Sequence, residues 1–368
     1  MKKNDVFMIH GSDYREMTKS LLHAADLAGM IRNREAVISL KPNLAVSKSP
    51  SSGATTHAEL LDGTIEYLKE QGFSHIRIME GSWVGDSTER AFHAAGYDRI
   101  SKLYGIPLID LQKDRFQEYD AAGMKIKLCD TAASSDFVIN MPVLKGHCQT
   151  TITCALKNNK GVIPNCEKRR FHTLGLHKPI AHLNTIARND FILVDNICGD
   201  LDFEEGGNPV PMDRILGFAD PVLCDAFVCD TMGFSTEEVP YIHMAEKLGV
   251  GSSDLSRADI HMLNQPSEPD FSPKPSRRVA ALAQYISPEN ACSACYGSLI
   301  HALNRLDEAG LLKKQLKDSP IAIGQGCQDR SGSVGIGRCT EKFCHSLKGC
   351  PPKANDMLEF LKKNWLND

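Results

Sequence analysis

An excess of positive charge is the first thing this sequence lacks. Its 368 residues carry 42 lysines and arginines against 46 aspartates and glutamates, a formal net charge of −4. No overall basic field exists to hold a nucleic acid. Long apolar runs are missing as well: no stretch approaches the ~18 uninterrupted apolar residues of a membrane span. Near the start only Val6, Phe7, Met8 and Ile9 are apolar in a row, where a secretory leader needs about 7–15. These absences predict a cytoplasmic protein with neither nucleic acid nor membrane as partner. The disordered class is excluded by composition, because 42% hydrophobic and 24% charged residues are ordinary globular values. Gly81 and Gly85 do not form a GxGxxG after a strand, so no dinucleotide fingerprint is expected. Cysteine is absent from residues 1–128.

Beyond that point there are thirteen cysteines, seven between Cys129 and Cys229 and six in the terminal region: Cys292, Cys295, Cys327, Cys339, Cys344 and Cys350. With no export signal a disulfide framework is not expected, and a dense cluster in a reducing compartment points to metal or redox chemistry. Cys224 and Cys229 lie in an apolar helical segment, where a cysteine reads as a small buried hydrophobe.

Hydrophobic periodicity predicts strands at 37–40, 75–80, 106–110, 137–140 and 191–195. It predicts helices at 57–70, 87–95, 150–158 and 179–188. That alternation argues for an α/β domain with a mostly parallel sheet and flanking helices. Four prolines between 265 and 278 read as a linker. The chain divides into an α/β domain over 1–270 and a small cysteine-rich, metal-binding module over 275–368.

Ser287-Pro288-Glu289 has the form of a helix start. A helix running on from it carries Cys292 and Cys295 at i, i+3, which puts both sulfurs on one face. Five glycines between 324 and 339 allow backbone N–H groups to approach an anionic cluster closely. The order CxxC, then Gly337-Arg338-Cys339, then Gly349-Cys350-Pro351-Pro352 resembles the proximal [4Fe–4S] motif of hydrogenase small subunits. Carried over, that resemblance implies Cys292, Cys295, Cys339 and Cys350 as ligands, with Cys327 or Cys344 as replacements. A Zn(Cys)₄ site uses the same residue type and is the alternative centre.

Several polar motifs follow predicted strands, where an α/β sheet places its ligands: Lys41-Pro42-Asn43, Glu80-Gly81-Ser82, Asn140-Met141-Pro142-Val143-Leu144-Lys145-Gly146-His147, Thr151-Ile152-Thr153 through Lys157-Asn158, and Asp195-Asn196. With Ala219-Asp220-Pro221-Val222-Leu223-Cys224-Asp225-Ala226, these stretches resemble, in order, the motifs of domain-of-unknown-function family 362 over roughly residues 35–250. Many members carry a ferredoxin-type module, whereas this chain has no CxxCxxCxxxCP run. The resemblance supplies no reaction.

The residues themselves suggest one. Lys41, Lys145 and His147 are candidate catalytic groups. Asn43, Lys157, Asn158, His172 and His177 are candidate binding groups for an anionic small molecule. Three functions fit: a redox enzyme of anaerobic metabolism, an accessory electron carrier whose Arg338, Lys342, Lys348 and Lys353 face an acidic partner protein, or a non-redox proton-transfer enzyme stapled by a structural metal.

Overall fold

The computed structural model describes residues 1–265 and 277–366. The proline-rich linker, apart from its ends, and the boundary near 275 lie outside the described residues. The contacts divide the chain into a large unit, Met1–Lys168 with His177–Pro275, and a small one, Arg169–Leu176 with Ser276–Asp368.

The strands of the large unit are β1 (Asp5–His10), β2 (Ile38–Pro42), β3 (Ile76–Glu80), β4 (Leu108–Asp110), β5 (Phe116–Ala121), β6 (Met124–Cys129), β7 (Phe137–Met141), β8 (Lys145–His147), β9 (Thr151–Thr153), β10 (Phe191–Asn196), β11 (Arg214–Phe218) and β12 (Asp259–Met262). Eight form one sheet in the order β12-β1-β11-β10-β7-β2-β3-β4, and β5–β6 and β8–β9 are separate antiparallel hairpins. Only the β1–β11 and β10–β11 pairings in the large sheet are antiparallel. Strands β2, β7, β10 and β11 are buried along their whole length, and β7 and β10 carry the continuous apolar runs of strands covered on both faces; the strand at 214–218 was not expected from the sequence.

The helix Ala58–Glu70 buries Leu60, Leu61, Ile65 and Leu68 and gives way to Gly72 at φ +83, a conformation open to glycine. Asp220 caps Pro221–Thr231 by accepting from Val222 and Leu223 N–H, with Pro221 at the first turn. No helix among the described residues is long and apolar enough to cross a membrane.

Two sequence expectations change. The helix expected over 150–158 begins as a strand, because the β-branched Thr151-Ile152-Thr153 pairs with Lys145-Gly146-His147, leaving one helical turn at Ala155–Asn158. Thr151 sits at φ +66, a strained position for a β-branched residue.

In the small unit, β13 (Ile286–Pro288), β14 (Ile321–Ile323), β15 (Val334–Ile336) and β16 (His345–Leu347) form an all-parallel sheet in chain order. Ser287-Pro288 therefore ends a strand rather than opening a helix. Its helix is Ser293–Glu308, with Cys292 at the N-cap. The i, i+3 relation of Cys292 and Cys295 spans that first turn.

Candidate functional site

Strand β2 lies between β7 and β3 in the large sheet. The chain passes from β2 to β3 and β4 on one side, and later returns to β7 and β10 on the other. The order therefore reverses between β2 and β7, and the crevice beyond their carboxyl ends is the usual ligand position of such sheets. In register, Lys41 pairs with Asn140 and Pro42 with Met141, so the first polar motif meets the third at this point.

Lys41 is fully buried; its Nζ donates to Glu80 Oε2 at 2.6 Å and to Pro42 O at 3.0 Å. Glu80 Oε1 accepts from Gly81 N–H. A Cβ on Gly161 would fall 1.8 Å from Glu80 Oε1 and 2.7 Å from Lys41 Nζ, so only glycine allows that close approach. Lys168 Nζ donates to the carbonyls of Gly81 and Ser82. Burial lowers the Lys41 ammonium from its ordinary range, against the pull of Glu80, and brings Lys168 down to about 8.

A second knot forms around Glu204. Its Oε1 accepts from Lys157 Nζ at 2.5 Å, its Oε2 lies 2.8 Å from His147 Nε2, and its carbonyl accepts from Lys145 Nζ at 2.9 Å. His147 Nδ1 accepts from the N–H groups of Gln149 and Thr150. The ring proton therefore sits on Nε2, which lies close to the carboxylate without the alignment of a hydrogen bond. Burial, aided by the charges of Lys157 and Lys160, pushes His147 down to about 4. Burial also lowers Lys145 to about 8, opposed chiefly by Glu204. Burial would raise Glu204, but His147, Lys157 and Lys145 hold it well below its ordinary range.

Lys145 has three donors and three protein acceptors: Asn43 Oδ1, the Ala54 carbonyl and the Glu204 carbonyl. From Asn43 the chain of amides continues, Asn43 Nδ2 to Asn158 Oδ1 (2.8 Å), Asn158 Nδ2 to Asn140 Oδ1 (2.7 Å), and Asn140 Nδ2 to Asn189 Oδ1 (2.7 Å). Such a directed chain polarises its members cooperatively.

The fold thus brings Lys41, Asn43, Lys145, His147, Lys157 and Asn158 into one buried region. His177 is stacked instead on the Tyr241 ring, with centroids 5.8 Å apart. His172 lies in the segment that groups with the small unit. Sequence reading missed Glu204 and Lys168. The signal for Glu204 was indirect: buried lysines require a carboxylate nearby, and Glu204-Glu205 follow β10 in the same stretch as Asp195. Also missed was a tight buried group of Cys154, Cys224 and Asp225, whose ligand-type atoms lie within 4.8 Å of one another. Asp225 there is pushed up to about 7 by burial.

In the small unit each parallel strand delivers a cysteine at its carboxyl end: Cys292 after β13, Cys327 after β14, Cys339 after β15 and Cys350 after β16. Three of these turns use glycine at positive φ, Gly324, Gly337 and Gly349. Gly337 marks the meeting point. A Cβ there would lie 3.6 Å from Cys295 Sγ and 3.7 Å from the Gly349 carbonyl, and Arg338 N–H bonds that same carbonyl. Burial raises the Cys295 thiol to about 12, and the charges of Cys292, Cys350 and Cys339 add to it. Cys292 is raised by burial, Cys339 and Cys350, and Cys339 by burial and Cys350.

Gln325 Nε2 donates to Cys292 Sγ at 3.4 Å. Cys327 is buried and is raised by burial and Glu289, with Cys339 acting more weakly, while Cys344 is exposed. No three of these sulfurs lie within 4.8 Å of one another, as the Cys154 group does among the described residues.

Over 229 residues the chain is 24% identical to a thylakoid-associated protein of Synechocystis sp., covering 57% of this chain and 67% of that protein. The family model described as domain of unknown function (DUF362) matches residues 38–230. That span holds the whole Lys41–Glu80 and Glu204 network and ends before the terminal cysteines. Because it covers just over half of the 368 residues, the chain belongs to the DUF362 family.

Proposed function

We propose that this DUF362 protein is an iron–sulfur protein of redox or electron-transfer type, with a [4Fe–4S] cluster held by Cys292, Cys295, Cys339 and Cys350. The observation that carries the reading is the gathering of these four cysteines at one sheet edge around Gly337. The cluster would supply one-electron transfer. The protein's part is to hold four thiolates, to offer backbone at close range through Gly337 and Gly349, and to offset negative charge with Arg338 and Arg169, which lower the thiols they face.

Sulfur spacing bears on the choice between a cluster and zinc. A single zinc at about 2.3 Å from each sulfur would draw the thiolates to about 3.8 Å apart. The observed set is wider. Arg338, Lys348 and Lys353 are exposed around the exposed Cys350, a basic rim suited to an acidic partner protein.

The large unit's buried lysines already have protein acceptors, so its contribution is read as acid–base rather than as open anion capture. Lys145 and Lys168, both near 8, sit where a proton acceptor is useful at neutral pH. An anionic small molecule would have to exchange against Glu80 or Glu204.

The test is iron and acid-labile sulfide content after strictly anaerobic purification, followed by dithionite reduction monitored by electron paramagnetic resonance. Equal iron and sulfide with a reducible signal supports the reading. Zinc in their place, or a cluster that no accessible potential reduces, defeats it. Calorimetric titration with inorganic phosphate and a dicarboxylate distinguishes the large unit's roles, since saturable binding lost in Lys145→Met would restore anion capture.

A further inference from the structure

Outside both centres, three side chains on the carboxyl edge of the large sheet stand in the order nucleophile, base, orienter. Asp195, the penultimate residue of β10, is almost fully buried. Its Oδ2 accepts the backbone N–H of His57 at 2.7 Å and lies 2.8 Å from His57 Nδ1. Its Oδ1 accepts from Ile197 N–H. His57 is the N-cap residue of Ala58–Glu70, so the same carboxylate fixes both its backbone and its ring. Nδ1 must carry the proton, since the carboxylate only accepts. Nε2 then faces the Cys198 Sγ at 3.7 Å.

Cys198 is not held there by chance of a loose loop. A Cβ on Gly199 would fall 1.8 Å from the Leu144 carbonyl, and one on Gly53 would fall 2.6 Å from the Cys198 carbonyl. Two glycine contacts thus press the loop against its neighbours. Cys198 and His57 are both partly exposed, so a small molecule can reach them.

We propose that Cys198, His57 and Asp195 form a thiol nucleophile–base–carboxylate site that accepts acyl groups from activated esters or thioesters. The inference is independent of the cluster. The Cys198 thiolate attacks the carbonyl carbon; the S–C bond forms, the bond to the leaving alcohol or thiol breaks, and that group departs with the proton from His57 Nε2. Water, deprotonated by His57, then attacks the thioester; the C–O bond forms, the C–S bond breaks, and the carboxylic acid leaves as the thiol regains its proton. The electrostatics agree with the geometry. Burial alone would lower His57, but the charge and hydrogen bond of Asp195, with Cys198 beside it, raise the ring to about 10, so the ring holds a proton firmly beside the sulfur. The other titratable groups facing the pair are Tyr14, whose ring lies 6.0 Å from His57, and Asp213, which accepts from Tyr14 Oη at 2.7 Å.

The 368-residue chain is incubated with p-nitrophenyl acetate, and acetylated peptides are mapped by mass spectrometry. A stoichiometric burst with the acetyl group on Cys198 is expected, lost in Cys198→Ser. His57→Gln should slow turnover by at least about 100-fold while leaving the backbone cap in place. A second measurement needs no variant: site-resolved alkylation of the wild type by iodoacetamide across pH. Cys198 should be alkylated faster than the other cysteines of the large unit, with a pH profile that His57→Gln shifts. An ordinary profile at Cys198 that His57→Gln does not move, or acetylation spread evenly over other cysteines, overturns the proposal.

Discussion

The two units solve one geometric problem with opposite electrostatics. Each gathers side chains from several places in the chain at the carboxyl edge of a sheet's parallel strands. In the large unit these are charges of both signs. Lys41 meets Glu80, and Lys157 meets Glu204, with the neutral His147 ring beside them. In the small unit they are like groups: the thiols of Cys292, Cys295 and Cys339 are raised by burial and by the charges of neighbouring cysteines. A network of matched charges stands by itself, whereas a set of thiolates repels until a cation or cluster neutralises it.

Removing a ligand should give the largest effect. Cys295→Ala is expected to abolish the iron and sulfide content of anaerobically purified protein, while Cys344→Ala leaves both unchanged; visible absorption and metal analysis decide. Equal loss in both variants would mean that the exposed cysteine belongs to the same set.

Next in size is the charge network. Glu204→Gln leaves Lys157 buried without its carboxylate, and breaking a buried pair in this way costs about 3–5 kcal/mol. The check is denaturant unfolding followed by a probe in the large unit. Retention of cluster content in the same variant would confirm that the two centres are separable.

Acid should act on the large unit in a defined window. His147 is neutral in the fold down to about 4, whereas in the unfolded chain it takes a proton below about 6.5. Between those values the unfolded state binds more protons, so stability falls as the pH falls through them, by about 3 kcal/mol in all. Unfolding midpoints measured at intervals across that range should show the slope, and His147→Gln should flatten it.

The smallest effect expected is at a helix end. Ser87 accepts from Arg90 N–H as the N-cap of Thr88–Ala94, and Ser87→Ala should cost about 1 kcal/mol, read as a shift in the same unfolding midpoint. A larger loss would tie this loop to the switch-point centre through Asp86, which Ser47 and Arg90 also contact.

Much of this architecture was legible in the chain. Buried runs such as Ile38–Pro42, Phe137–Met141 and Phe191–Asn196 declare themselves by continuous apolar character, and Gly72 and Gly96 mark helix ends by their freedom at positive φ. The large unit's candidate groups were legible by position, because residues just past buried strands lie on one edge of the sheet. The short strands of the small unit were not. Three residues such as Val334–Ile336 are too few to show a period, and the glycines around them read as loop.

Which residues meet was a tertiary decision. Lysines at 41, 145 and 157 announce a need for carboxylates, but the choice of Glu80 for one and Glu204 for another depends on strand order. The same holds for His57, Asp195 and Cys198, whose separations in sequence carry no local signal. Local propensity and hydrophobic period act over a few residues, so the sequence by itself determined the elements and the edge on which their polar ends fall. The pairing of charges, the tautomer of His147 and the facing of His57 toward Cys198 arise from contacts far apart in the chain, and only the packed sheet brings them within hydrogen-bonding reach.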